Sequence, residues 1–435
     1  MRLLFFFAAS CGALSVAPPV SASASASASA SASPKTNRIA VFLLNLGGPE
    51  TLKDVEPFLY NLFADPDIIR LPAAMSGIQT ALAWLIAKRR APRSRQAYDS
   101  IGGGSPITRF TTAQAELLET ALNEDCDSSL EFKCYVAMRY WHPFTDEALA
   151  KAAEDDCRSA VVLPLYPHFS ISTTGSSLRA LLAEMQASQP RLMARHTVVP
   201  SWHQAPGYVD ILARLVADEL RDLAKVPSEK PICVLFSAHG VPVSYIERAG
   251  DPYKRHIEAT VRLVAEATRA RVRDDTTYEL SFQSRVGPVE WLRPYTDDAL
   301  VDIANRGIKR IVVVPISFVS EHIETLEEID IEYREVAETA GIQHWRRVPA
   351  LNLDADFIRE LKFQVNDALY AKPVVSTSEA CVVNSFDLDD RPLGVLTGVE
   401  KDVERLNSKT AAVAIALALL IELLANTRAI HLFGV

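Results

Sequence analysis

Eight short apolar runs, each followed by a longer stretch of helical character, constrain this chain more than any other feature. They are Ile39–Asn45, Lys133–Met138, Ala160–Leu165, Thr197–Pro200, Cys233–Ser237, Tyr278–Gln283, Ile311–Ile316 and Gln343–Val348. The runs are apolar almost throughout rather than alternating, so both faces of each strand must be covered. That is the pattern of parallel sheets packed between helices. Val161-Val-Leu-Pro-Leu-Tyr-Pro-His-Phe-Ser170 also echoes Ile311-Val-Val-Val-Pro-Ile-Ser-Phe-Val-Ser320. The expectation is an α/β protein of two similar doubly wound halves, residues 37–201 and 202–371, dividing near Trp202. The chain's 435 residues leave room for two ordinary domains.

Two constellations sit where strands should open onto helices, the usual ligand crevice of such sheets. Ile311–Ile316 is followed by Ser317-Phe-Val-Ser-Glu321-His322-Ile-Glu324-Thr-Leu-Glu-Glu328-Ile-Asp-Ile-Glu332. The i, i+4, i+8 spacing of Glu324, Glu328 and Glu332 places them on one face of an α-helix, where like charges repel by roughly 0.2–0.5 kcal/mol per pair. A solvated helix face is the plain reading. The placement of Glu321 and His322 at a strand's carboxyl end favours proton transfer or passage of a divalent cation. His239 stands at another such end, in Ser237-Ala-His239-Gly240-Val-Pro242, where Gly240 and Pro242 delay the next helix.

Several stretches resemble the ferrochelatase family. In the second half these are Ser237-Ala-His239-Gly-Val-Pro, Asp251-Pro-Tyr, Phe282-Gln-Ser-Arg-Val-Gly-Pro288 and Ser320-Glu-His-Ile-Glu324-Thr-Leu. In the first they are Leu44-Asn-Leu-Gly-Gly-Pro-Glu50, Ile101-Gly-Gly-Gly-Ser-Pro-Ile107, Met138-Arg-Tyr-Trp-His-Pro143 and Ser172-Thr-Thr-Gly-Ser-Ser177. They run in family order from about Arg38 to Pro349. The resemblance implies two Rossmann-like halves around a cleft without a nucleotide. It also implies insertion of Fe²⁺ into protoporphyrin IX to give protohaem, with release of two protons.

By resemblance, His239 and Glu324 form the proton-accepting and metal-handling pair. Glu321, His322, Glu328 and Glu332 form a relay for protons or iron. Arg90, Tyr98 and Ser105 bind the propionates, while Arg139, Tyr140, Tyr166, Trp291 and Phe318 line the cleft. Imidazole, with an ordinary pKa of about 6.5, suits proton acceptance at neutral pH. A carboxylate needs a raised pKa, which Glu328 would favour in Glu324. The apolar segment from Leu71 to Ile86 is expected to form a lip of the cleft or a buried helix. Gly102-Gly-Gly-Ser-Pro106 lacks the Lys-Ser/Thr of a P-loop and follows no strand, which argues against nucleotide binding.

A net charge of −9 argues against nucleic acid and gives no help toward anionic membranes. Cys126, Cys134, Cys157, Cys233 and Cys381 read as free thiols. Some relatives use three C-terminal cysteines and one internal cysteine for a [2Fe–2S] cluster. Here only Cys381 lies C-terminal and Ile171 holds the internal position, so no cluster and no permanent cofactor is expected, with Fe²⁺ as substrate. Residues 1–36 combine a short apolar core, Leu3–Leu14, with Ser-Ala alternation and no acidic residue. This suggests a two-part plastid address, with a simple transit peptide or secretion as competing readings.

After a polar linker at 372–392, residues 393–435 hold a sixteen-residue apolar stretch, Thr410–Ala425. It would span about 24 Å as a helix against a ~30 Å hydrocarbon core. Glu404-x-x-Asn407-x-Lys409 before it resembles the chlorophyll-binding helix of light-harvesting proteins, which implies a membrane helix with Glu404 and Asn407 as possible pigment ligands. Light-harvesting-like proteins would be partners. Ser408-Lys409 replaces the usual Gly-Arg, and Lys cannot form the bidentate fork of Arg. The alternatives are a chelatase acting on coproporphyrin or another metal, or a non-catalytic porphyrin- or chlorophyll-binding membrane protein.

Overall fold

A computed structural model describes residues 37–370, apart from positions 70, 72, 127, 229, 273, 274 and 286–288. The expectations for the leader, the linker, the C-terminal helix, Glu404 and Asn407 lie outside these residues. Among the described residues no helix is long and apolar enough to cross a membrane.

All eight apolar runs form strands: β1 (Asn37–Asn45), β2 (Leu130–Met138), β3 (Ser159–Pro164), β4 (His196–Val198), β5 (Ile232–His239), β6 (Thr276–Gln283), β7 (Arg310–Pro315) and β8 (His344–Arg347). They make two four-stranded parallel sheets of the same order, β2-β1-β3-β4 and β6-β5-β7-β8. In each sheet the chain goes first to one side of the opening strand and then to the other. The order therefore reverses between β1 and β3, and again between β5 and β7. Ligands of open parallel sheets lie at such reversals, beyond the carboxyl ends. The echoing segments noted above are β3 and β7, which occupy equivalent places.

The two sheets share one continuous core, in which Val41 and Leu43 of β1 join Phe236 of β5 and Val314 of β7. Two buried aromatics carry the join. Trp202 donates its indole N–H to the Pro164 carbonyl at 2.9 Å, and Tyr208 donates its hydroxyl to the Ile316 carbonyl at 3.2 Å. Their rings meet edge to face at 5.1 Å. Each residue thus ties the middle of the molecule to the end of a different sheet's third strand. Helix Pro206–Ala224 begins with Pro at its first turn and buries Val209, Leu212, Ala213, Val216 and Leu220 along one stripe. Helix Ala355–Tyr370, late in the second half of the sequence, packs on helix Ile107–Glu124 and on β3 of the first.

Helix Gln79–Ser100 buries Ala83, Ala87 and Ala91 at four-residue intervals against helix Val55–Ala64. Small side chains at that spacing let the two helices approach closely. Loop 102–105 then docks on loop 47–50. Gly104 lies so close to the Glu50 carbonyl that a Cβ would collide with it, and a Cβ on Gly48 would sit 2.6 Å from that of Ser105. The glycine-rich loop is therefore a packing element between two helices.

Candidate active site

The carboxyl end of β5 carries His239, and the chain leaving β7 carries the acidic run, so the second sheet's reversal point gathers both constellations. His239 Nδ1 lies 2.8 Å from Glu324 Oε2. The imidazole side chain is 33% exposed, the carboxylate 4%. His239 Nε2 has no hydrogen-bond partner among the described residues. Burial works against protonating the ring, but the Glu324 charge and hydrogen bond outweigh it and hold the imidazole above its usual range. Burial likewise pushes Glu324 up, and His239 outweighs it, keeping this carboxyl below the ordinary range. The expectation that Glu328 would raise Glu324 is thus corrected. The raised carboxyl is Glu328 itself, pushed up to about 8 by burial and then by the Glu324 charge.

Glu324–Tyr333 forms a π-helix rather than the α-helix assumed from spacing. Its wider turn, with N–H groups reaching five residues back, is uncommon and favours functional sites. Glu324 and Glu328 are buried, while Glu332 reaches the surface and pairs with Arg93 at 3.1 Å. The carboxylates therefore run from the interior outward. Glu327 stands beside the outer end, raised to about 7 by burial and by Glu332.

The row is held by donors the sequence did not single out as site residues. The Gln283 amide N–H donates to Glu324 at 3.2 Å and to Glu328 at 3.5 Å. Its own oxygen accepts from Ser237 at 2.6 Å, which fixes the amide's orientation. Ser284 donates to Glu328 at 2.8 Å, and Tyr333 donates to it at 3.1 Å. Ser284 has φ +62°, a left-handed conformation that aims its hydroxyl across the strand end. The signal was present in the Gln-Ser of the Phe282 motif, but strand pairing was needed to bring it beside the acidic run.

The relay residues divide. His322 stays near Glu324, with Nε2 3.9 Å from Glu324 Oε1 and Nδ1–H donating to the Ser320 carbonyl at 3.1 Å. Burial lowers its pKa, opposed by Glu324 and Glu321. Glu321 is not brought into the row. Arg347 donates to it at 2.9 Å, the Ala350 N–H at 2.9 Å and the Thr325 hydroxyl at 2.5 Å, which together occupy both its oxygens.

Phe318 lies between the two imidazoles, edge-on to His322 at 4.3 Å and to His239 at 6.3 Å. Trp291 covers Gly240, where a Cβ would stand 3.2 Å from the indole. Tyr98 is buried, and burial with the Glu324 charge raises its pKa far above the usual range. Arg90 stacks over Phe63 at 5.5 Å, and burial with Arg93 pulls its pKa down to about 9. Ser105 is half-buried beside the Pro49 carbonyl, to which its N–H donates at 2.7 Å. Tyr166 has its hydroxyl 3.5 Å from Ser177.

Arg139 and Tyr140 belong to a different network. Asp65, nearly fully buried, accepts from Arg139 at 2.8 Å, Tyr140 at 2.7 Å and Ser176 at 2.5 Å. Asp65 carries no motif of its own, so sequence reasoning passed over it. Ile78, Trp84 and Leu85 project to solvent from the segment between Leu71 and Ile86, with Lys88 lying 4.8 Å over the Trp84 ring. Among the described residues no three His, Cys, Asp or Glu side chains converge as a closed metal cage. The His239–Glu324 pair instead offers one open imidazole nitrogen backed by a buried carboxylate.

Known proteins resemble this chain over most of its length. A family model described as ferrochelatase matches residues 38–369. The chloroplastic ferrochelatase-2 of Oryza sativa subsp. japonica is 46% identical over 417 residues, covering 92% of this chain and 78% of the relative. The chloroplastic ferrochelatase-2 of Arabidopsis thaliana is 45% identical over 416 residues, covering 92% and 80%. A ferrochelatase of Picosynechococcus sp. is 49% identical over 398 residues, covering 92% and 99%.

Proposed function

This chain belongs to the ferrochelatase family, whose reaction inserts iron into a porphyrin to make protohaem, and on that premise we propose that its substrate is protoporphyrin IX and that His239 and Glu324 carry the chemistry. The observation that carries the reading is the 2.8 Å His239–Glu324 contact at the reversal point of the second sheet, with Nε2 left unpartnered.

Metallation requires two pyrrole protons to leave as Fe²⁺ enters the ring. A neutral His239 accepts the first proton at Nε2 while the ionised Glu324 on Nδ1 stabilises the resulting imidazolium, and loss of a proton from Nδ1 through Glu324 to the row frees the ring to accept the second. The buried row then has a direction. Glu328 lies at about 8, close enough to neutral pH both to take and to lose a proton, and Glu332 delivers to solvent. The same oxygens suit Fe²⁺ moving inward, since hard and borderline cations accept carboxylate and imidazole donors. Arg90, Tyr98 and Ser105 would hold the propionates, with Arg90 as the cation.

The chloroplastic relatives support a plastid address. We place the protein at the plastid membrane, through the exposed apolar residues of the lip and through residues 393–435. Its leader is read as bipartite. No iron–sulfur cluster is part of this reading.

The test is a metal-insertion assay with purified full-length protein, protoporphyrin IX or coproporphyrin, and Fe²⁺, Zn²⁺ or Co²⁺, followed in the Soret band. Protoporphyrin with Fe²⁺ should give the highest kcat/KM. A preference for coproporphyrin overturns the substrate assignment.

A further inference from the structure

The motif Asp251-Pro-Tyr253 has no part in the chemistry above, yet it packs directly behind His239. The ladder between β5 and β7 ends at the pairing of Ser237 with Pro315, after which the chain leaving β7 turns away. The peptide groups of His239 on that side therefore lack a strand partner. Two hydroxyls replace it. Tyr253, buried at the start of helix Tyr253–Arg271, donates its O–H to the His239 carbonyl at 2.9 Å. Ser317 Oγ accepts the His239 N–H at 3.0 Å. The two hydroxyl oxygens lie 2.7 Å apart. A phenol has one proton, and here it goes to the carbonyl, so Ser317 donates to Tyr253 and the ring of hydrogen bonds closes.

That ring is anchored across the molecule. Asp251 accepts the Tyr253 N–H at 2.9 Å through one oxygen, and through the other the Ser170 hydroxyl at 2.8 Å and the Ile171 N–H at 2.9 Å. Ser170 and Ile171 begin the π-helical turn Ile171–Gly175 of the first half. The main chain of His239 is thereby referenced to both halves of the molecule.

We infer that Tyr253, together with Ser317, is a positioning residue that fixes the His239 peptide so that the imidazole stands in register with Glu324. This rests on the assignment of His239 as proton acceptor. Neither hydroxyl needs to touch porphyrin or metal. Removing one should therefore leave substrate affinity alone and lower the rate, in the way that a small misplacement of a catalytic group does.

Four full-length proteins test the inference: Tyr253→Phe, Ser317→Ala, His239→Ala and the double variant His239→Ala/Tyr253→Phe. Tyr253→Phe keeps the ring's packing and should lower kcat about tenfold with the porphyrin KM within about twofold. The double variant should be no slower than His239→Ala alone, because the tyrosine acts only through the histidine. Unchanged kcat in Tyr253→Phe, or losses that multiply in the double variant, overturns the inference. Should Tyr253→Phe fail to fold, Ser317→Ala opens the same ring and its kcat and KM decide in the same way. Near-normal turnover in His239→Ala would instead sink the underlying assignment, an outcome separate from the other two.

Discussion

The third strand of each sheet leads to a π-helical turn: β3 to Ile171–Gly175 in the first half, and β7 to Glu324–Tyr333 in the second. The strand orders match and both turns stand beside a reversal point. The first turn is Ile-Ser-Thr-Thr-Gly and carries no titratable group, and its N-terminus is pinned by Asp251. The second is twice as long and carries a row of carboxylates.

The ends of the central strands differ in the same sense. β1 ends at Asn45, buried, whose amide donates to Thr111 at 3.0 Å and whose oxygen accepts the Leu46 N–H at 2.8 Å. β5 ends at His239, a third exposed, with one nitrogen held by Glu324 and the other open. One scaffold has thus been used twice, once with its strand-end amide paired internally and once with a proton-accepting atom left unpartnered. The second half is where chemistry should be lost on mutation, and the first is where stability should be.

The largest expected effect is His239→Ala, which should lower kcat by about 10²–10⁴, the range of a general base. Its counterpart Asn45→Ala should leave kcat within about twofold, yet cost roughly 1–3 kcal/mol, because the Leu46 N–H and Thr111 lose a buried partner. Urea titrations and metal-insertion rates on both variants check the pair. Equal kinetic losses would erase the distinction between the halves.

A smaller effect separates the imidazoles. His168, His203 and His256 converge between β3 and helix Tyr253–Arg271, with the last two rings stacked 3.7 Å apart. The Phe169 N–H donates to His256 Nδ1 at 3.2 Å, so that nitrogen must be unprotonated. His168 Nδ1 is buried without a partner among the described residues. Asp251 lies on the same helix approach but is occupied by Ser170, Ile171 and Tyr253, while Arg255 adds positive charge. Burial lowers His203 to about 4 and, with His203 and Arg255, lowers His256 to about 3.

A folded-state pKa below the unfolded value of about 6.5 means the unfolded chain binds more protons below that pH. Stability is then lost as pH falls from 6.5 toward 4. At pH 4.5 the two shifts together amount to about 5 kcal/mol, a large share of an ordinary folding free energy. The urea midpoint should drop steeply across that window, and His256→Gln should flatten the drop. A midpoint that stays constant from pH 6.5 to 4.5 contradicts the neutral seam. The smallest effect on turnover belongs to removal of residues 391–435, which should leave kcat within about twofold while releasing the protein in a carbonate wash of membranes.

Every strand was legible in the sequence, because a run such as Ile311-Val-Val-Val-Pro-Ile316 has few alternatives to a buried parallel strand. The placement of His239 at a strand end was legible too, but its contact with Glu324, which lies well beyond the end of β7, was expected only from the family resemblance and not from spacing. The π-helix was not, because the spacing of Glu324, Glu328 and Glu332 also fits an α-helix and sequence carries no mark of the wider turn. Nor could sequence orient side chains. Glu321 sits three residues from Glu324 yet turns to Arg347, and the site partners of Asp65, Gln283, Ser284 and Tyr253 come from contacts distant in sequence. Those contacts depend on the strand order, which periodicity does not encode.

The most direct test of the account is the pH dependence of kcat in wild-type protein and in Glu324→Gln. A neutral His239 is required for turnover, and Glu324 is what holds its pKa above the usual range, so wild-type kcat should fall as pH drops through that raised value. In Glu324→Gln the largest raising influence is gone and only the smaller pull of the Glu328 charge opposes burial, so the acid limb should move to lower pH while the plateau falls. An acid limb at the same pH in both proteins would contradict a coupled His239–Glu324 pair as the proton acceptor.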